Sequence, residues 1–221
     1  MANGTHIIYV APSNSTQKDI ADYVCNGTND SQQINAAIAA AKIGMEIILL
    51  DGKFNISEKI NVNKKDLVIR GIGHNRTVVE QVALNGGTTT AIMFDISADG
   101  VRLQDMMIVD VDVDYPQFII RSKDGLYDCI FERLFFILKA KQTNINAYID
   151  IGGNGNKFIN CRTYHYNNIP EKYTINIVGT NSIVSGMLNT GNGPVRVNFS
   201  DTSYSLFGNN DTEIYVNGVK Q

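Results

Sequence analysis

Residues 109–114 read VDVDVD, with Asp110, Asp112 and Asp114 alternating with Val109, Val111 and Val113. In an extended chain a period of two sends the three carboxylates to one side and the three valines to the core. A row of carboxylate oxygens suits calcium, or the acid and base of glycoside hydrolysis. Left in solvent, the same row is a charged face that blocks unwanted strand pairing. A second constellation is RTYHYNN, residues 162–168, where Tyr164 and Tyr166 fall on one side of an extended chain with Arg162 in phase and Asn168 beyond. Aromatic faces cover the C–H patches of sugars while guanidinium and amide groups bond hydroxyls, so Arg162, Tyr164, Tyr166 and Asn168 form a candidate ligand-binding set. The same residue types are enriched at protein interfaces.

Other reactive side chains carry less. His6, His74 and His165 are scattered, without a metal or nucleophile spacing, and read as surface or structural histidines. Cys25, Cys129 and Cys161 are odd in number and contain no CxxC pair, which predicts buried free thiols in place of a disulfide scaffold or a zinc site. Asn-x-Ser/Thr triplets occur at Asn3, Asn14, Asn26, Asn29, Asn55, Asn75, Asn198 and Asn210, compatible with glycosylation and with a chain rich in turn residues.

The elements that must position these groups come from an internal repeat. AIMFDISADGVRLQDMMI (residues 91–108) is an apolar strand, a polar glycine corner and a second apolar strand, and FIIRSKDGLYDCIFERLFFI (118–137) repeats that order. The first apolar residues after successive corners are Val101, Leu126, Phe158, Ile183 and Tyr204, about 25, 32, 25 and 21 residues apart, with Leu67 and Ile47 as earlier members. A unit this small cannot bury its apolar side alone, but copies stacked about 4.8 Å apart create one core. The expected architecture is a β-solenoid of about seven coils by this repeat logic. A β-sandwich also uses many short strands, but it does not require corners to match from unit to unit.

Ahead of the repeat, VCNGTNDSQQINAAIAAAK (24–42) predicts a short helix capped by Asp30 or Ser31 and closed by Gly44. Ile34, Ala37, Ile38 and Ala41 share one face. Such a helix can cover the apolar end of a solenoid, with HIIYV (6–10) as a strand beside it. The organisation is then a strand and capping helix over 1–45 and coils over 46–221. Phe131, Phe135 and Phe136, with Leu134 and Ile137, read as core. TEIYVNGVKQ at 212–221 shows no second amphipathic cap, which leaves a far edge for another subunit or local side chains to cover.

The segment ADYVCNGTNDSQQINAAIAAAK, followed by LLDGKFNI (49–56) and LVIRGIG (67–73), resembles the N-terminal part of the pectate-lyase-like right-handed parallel β-helix proteins: a D/N-rich turn, a capping helix, an "LPxGxY"-type strand and a "GxG" turn, with Asp51 where proline is common. The resemblance implies an all-β, right-handed parallel β-helix with a short N-terminal capping helix, and favours a homotrimer. It spans lyases, hydrolases, viral tail spikes and surface proteins, so it does not specify a function. A calcium-dependent lyase of this kind would pair metal-binding aspartates with a basic residue, and Arg121 or Lys123, on the corner after Asp110, Asp112 and Asp114, could be that neighbour. No lyase signature surrounds them, and the GHG and RxK patterns of the hydrolases are absent.

With 221 residues, 43% hydrophobic composition and a net charge of -3, the chain is expected to hold a packed core and offers no electrostatic footprint for nucleic acid or an anionic membrane. No stretch approaches the roughly 20 apolar residues of a membrane span, and no signal peptide opens it. The functional expectation is a non-enzymatic extracellular or virion-surface attachment protein that self-assembles and recognises glycans, without a cofactor. The alternative is a polysaccharide lyase or glycoside hydrolase using Asp110, Asp112 and Asp114, with calcium or without it.

Overall fold

The computed structural model describes residues 7–82, 91–110, 117–122, 125–139, 147–167, 172–207 and 212–221. Short strands rich in β-branched and aromatic residues stack in register into three parallel sheets. Sheet A contains Ile7–Ala11, Glu46–Leu49, Val68–Arg70, Arg102–Gln104, Ile130–Glu132, Lys157–Ile159, Ile183–Ser185 and Ser205–Phe207, with Tyr23–Val24 at its outer edge. Sheet B contains Gly52–Ile56, Thr77–Gln81, Met107–Val109, Phe135–Leu138, Arg162–His165 and Leu188–Asn189. Sheet C contains Ile60–Val62, Ala91–Ile96, Gln117–Ser122, Ala147–Asn154, Tyr173–Val178, Val195–Phe199 and Thr212–Val216, closed by Val219–Lys220. The chain visits A, B and C in turn, which is the expected parallel β-helix. Among the described residues sheet B has six strands, so six coils are described with all three of their strands.

Each rung sends alternate side chains inward. Ile69, Leu103, Phe131, Phe158 and Val184 line sheet A, Phe54, Val79, Ile108 and Phe136 line sheet B, and Ile120, Ile149, Ile175 and Val197 line sheet C, all fully buried. Each contributes about 1.5–3 kcal/mol by leaving water. Phe131 and Phe158 stack on adjacent rungs, their centroids 4.5 Å apart at 17°. Phe135 and Ile137 depart from the core expectation: they alternate with buried Phe136 and Leu138 and therefore face outward.

Register corrects the repeat markers. Leu67, Val101, Cys129, Asn156, Ser182 and Tyr204 occupy one rung position, so Val101 and Tyr204 are equivalent but Leu126, Phe158 and Ile183 are not. Leu126 instead pairs with Gly153 at the end of sheet C. The apolar signal fails at Asn156 because this fully buried side chain satisfies backbone groups, accepting from Cys129 N at 3.1 Å and donating to Gly153 O at 3.0 Å. Corners repeat in left-handed backbone: Asp66, Gly100, Asp128, Gly155 and Asn181 form one column and Asp105, Arg133, Asn160 and Gly186 another. These residue types, arginine excepted, tolerate that conformation.

Helix α1 spans Ser31–Ala40 and buries Ile34, Ala37 and Ile38 with Ala41 just beyond, as the pattern predicts. Its N-terminus differs from expectation. Asp30 makes no cap bond; its buried carboxylate accepts from Gly27 N and Asn55 N, each at 2.8 Å, tying the turn to sheet B. The helix ends at Ala40, and Gly44 lies in the turn beyond. The strand at 7–11 pairs with Glu46–Leu49 and belongs to sheet A. At the far end Thr212–Val216 and Val219–Lys220 form an antiparallel hairpin through Asn217 and Gly218, both at positive φ, so sheet C carries its own edge cover. Two of the Asn-x-Ser/Thr sites fall in strands: Asn55 donates to Gly27 O and Asn198 to Asn176 Oδ1.

Candidate functional site

Sheet B brings the tyrosine set together. Arg162, Tyr164 and Tyr166 all project outward, because Thr163 and His165 between them are buried. On adjacent rungs Arg162 lies between Phe135 and Leu188, and Tyr164 lies beside Ile137. The tyrosine rings meet edge-on, 5.0 Å apart at 66°. Tyr166, half exposed, is fixed through its backbone by Leu138 O at 2.9 Å and by Asn192 Nδ2 at 2.9 Å. Lys139 Nζ lies 5.8 Å from the Tyr166 ring and 3.8 Å from Glu80, which also pairs with Lys53 at 3.0 Å. A hollow of about 260 Å³ opens at the head of this strip, lined by His74, Asp105, Arg133, Leu134, Phe135, Asn160 and Arg162. Arg133 is held there by a fork onto Asp105, at 2.6 and 2.8 Å, while the Arg162 guanidinium makes no ion pair among the described residues. The result is an aromatic and aliphatic surface with a free guanidinium at one end. Asn168 lies outside the described residues.

The first aspartate of the row does not lie on the expected outward face. Asp110 follows Val109 one residue beyond the register pair Val109–Glu80, which places it on the inward column of Gln81 and Leu138. It is fully buried, and its carboxylate accepts from Lys139 N. Asp110 therefore does not stand on a solvated side of the strand. Arg121 is exposed on sheet C, on the rung between Asp95 and Asp150 and against Phe118 at 5.0 Å, so it does not join Asp110. Asp112, Asp114 and Lys123 lie outside the described residues, as does His6.

Inside the coils, where sheet B gives way to sheet C, lies a polar cluster that sequence patterning misses. Lys172, 2% exposed, places Nζ over the Tyr148 ring at 3.9 Å. Tyr148 meets His165 edge-on at 5.8 Å. His165 Nε2 shares a hydrogen bond with Thr174 Oγ1 at 3.3 Å, and that oxygen accepts from Arg196 N at 3.1 Å. Arg196 Nε reaches Glu213 at 3.0 Å, which Lys220 also binds. Burial pushes Lys172 down to about 8 against the opposing pull of Asp110. Burial, then Arg196 and Lys172, push His165 down to about 4. Burial and the Asp110 charge raise Tyr148. Lys172, Tyr148, His165 and Thr174, closed to solvent, brace the rungs that carry Arg162, Tyr164 and Tyr166. The three cysteines are free and buried, as expected, and burial raises Cys25 and Cys161 to about 12 and Cys129 to about 11.

Three parallel sheets stacked coil on coil under an N-terminal helix define a parallel β-helix. No protein-family model matches the chain, and no curated protein matches it. Among solved structures it is similar to the catalytic domain of a GH87 α-1,3-glucanase variant in complex with tetrasaccharides, with TM-score 0.58 and 14% identity over 97% of this chain. It is also similar to a GH87 α-1,3-glucanase catalytic domain in complex with nigerose, with TM-score 0.54 and 15% identity over 96% of this chain. The chain spans about 40% of these neighbours' length. Geobacillus virus E2 ORF18 aligns with TM-score 0.27 at 14% identity, over 85% of this chain and 57% of the viral one. At these identities the likeness to the glucanases is one of fold.

Proposed function

We propose that this protein is a non-enzymatic attachment β-helix that binds glycans on the outward face of sheet B, working outside the cell or on a virion surface. The observation that carries the reading is the alignment of Arg162, Tyr164 and Tyr166 on one exposed face with the two rings 5.0 Å apart. Rigid rings on a fixed backbone offer stacking surface at low entropic cost, and the unpaired guanidinium adds a directional donor. No cofactor enters this reading. Glycan-array binding should fall at least tenfold in Tyr164→Ala/Tyr166→Ala, and unchanged binding together with unchanged self-association would remove the proposal.

Self-assembly belongs to the same reading. Among the described residues no strand lies beyond Ser205–Phe207 in sheet A or Leu188–Asn189 in sheet B, so backbone donors and acceptors at that end suit a second copy, with a homotrimer the favoured state. A stable monomer at high concentration, measured by light scattering, would count against it.

The second reading is a glycoside hydrolase or polysaccharide lyase, supported by the fold shared with glucanase catalytic domains. Its catalytic or calcium-binding groups would be Asp112 and Asp114 with Arg121 and Lys123, since Asp110 faces inward. Release of reducing ends or unsaturated uronates from a panel of polysaccharides, with calcium and with chelator, would favour it over the attachment reading.

A further inference from the structure

The outward face of sheet A carries a groove of about 460 Å³ lined by Asp66, Val68, Gly100, Arg102, Asp128, Ile130 and Lys157. Register arranges these residues in two columns. One runs Val68, Arg102, Ile130, Lys157 over four consecutive rungs, and the corner column beside it runs Asp66, Gly100, Asp128, Gly155. Both therefore repeat every second rung, about 9.6 Å at the spacing of hydrogen-bonded strands. Cations alternate with apolar residues in the first column, and carboxylates alternate with glycines in the second.

The glycines set where the carboxylates stand. A Cβ on Gly100 would lie 2.0 Å from Asp66 Oδ1, and one on Gly155 would lie 2.4 Å from Asp128 Oδ1. Each aspartate thus leans across the next rung into space that only glycine leaves. None of Asp66, Arg102, Asp128 and Lys157 makes a side-chain ion pair or hydrogen bond among the described residues. Four unpaired charges, two of each sign, converge on a groove floored by Val68 and Ile130.

We propose that this groove is a second binding site, distinct from the sheet B strip, for a linear glycan bearing one anionic group per disaccharide and lying along the coil axis. Arg102 and Lys157, two rungs apart, take successive anionic groups, while Asp66 and Asp128 accept hydroxyl or amide hydrogens between them. Val68 and Ile130 pack against ring C–H faces. A two-residue polymer repeat matches a two-rung protein repeat. An extended peptide, which advances about 6.8 Å per two residues, falls out of step.

The test is calorimetric titration of the whole chain with hyaluronan fragments of increasing length and with a neutral glucan of matched length. Binding should rise at least tenfold from the disaccharide to the tetrasaccharide, where a second carboxylate first becomes available, and should weaken with salt. Arg102→Ala/Lys157→Ala should lose at least tenfold, Arg102→Lys/Lys157→Arg should keep most of the affinity, and Tyr164→Ala/Tyr166→Ala should leave it intact. Equal binding of neutral and acidic fragments, no binding of hyaluronan, or loss only in the tyrosine variant would each overturn the proposal. The last outcome would do so while upholding the sheet B reading.

Discussion

Lys172 Nζ stands 3.9 Å from the centroid of the Tyr148 ring, with both residues almost wholly buried. The residues come from adjacent coils, since Tyr148 stands opposite Thr174 on the neighbouring rung, between the paired positions Ala147–Tyr173 and Ile149–Ile175. An ammonium group in a solenoid interior is costly unless charge and ring density offset its lost hydration, and Asp110 and Tyr148 supply both.

Removing the Asp110 charge should expose that cost. Asp110→Asn is expected to destabilise the fold by about 3–5 kcal/mol, as breaking one side of a buried charge arrangement does. Lys172→Met in the same background should restore part of the loss. Urea unfolding of the two single variants and the double variant measures the coupling, and simple additivity would refute it.

Acid should unfold the protein partly through His165. Its folded value near 4 lies below the ordinary 6.5, so the unfolded chain binds the extra proton and stability falls as pH drops from about 6.5 to about 4. A shift of this size corresponds to about 3 kcal/mol. His165→Gln, neutral throughout, should show a flatter stability profile over that window in thermal melts.

The thiols should be silent in the native state. Cys25, Cys129 and Cys161 are buried with raised ionisation, so a disulfide reagent at pH 8 should label none of them until denaturant is added. Three groups should then react per chain.

Two corner positions separate backbone from side-chain effects. Arg133 sits at φ 50, where a non-glycine residue costs about 1–2 kcal/mol. Arg133→Gly should therefore be more stable than Arg133→Ala by roughly 1 kcal/mol, although both lose the fork onto Asp105. At Gly153 a Cβ would lie 1.6 Å from Leu126 O, so Gly153→Ala should cost at least about 2–3 kcal/mol by forcing the backbone apart. Chemical denaturation of the three variants checks both.

The tyrosine strip was legible because three outward residues in one strand keep their phase whatever lies beside them: Arg162, Tyr164 and Tyr166 needed only the alternation of an extended chain. Their neighbours Phe135, Leu188 and Lys139 were not legible, since these come from other coils and meet the strip only through register. The sheet A groove was hidden for the same reason. Asp66 and Asp128, or Arg102 and Lys157, show no local spacing that signals a site.

Residue order alone determined the coil architecture and the covered N-terminal end. Apolar runs split by Gly, Asn and Asp corners can bury their faces only by stacking, and the stripe of Ile34, Ala37 and Ile38 must meet an apolar surface. What the tertiary structure decided was which way each strand residue faces at the sheet ends, and which coils meet. Asp110 shows why: strand alternation has a period of two, so the phase passed on from Glu80 and Ile137 turned an expected solvent-facing carboxylate into a buried one.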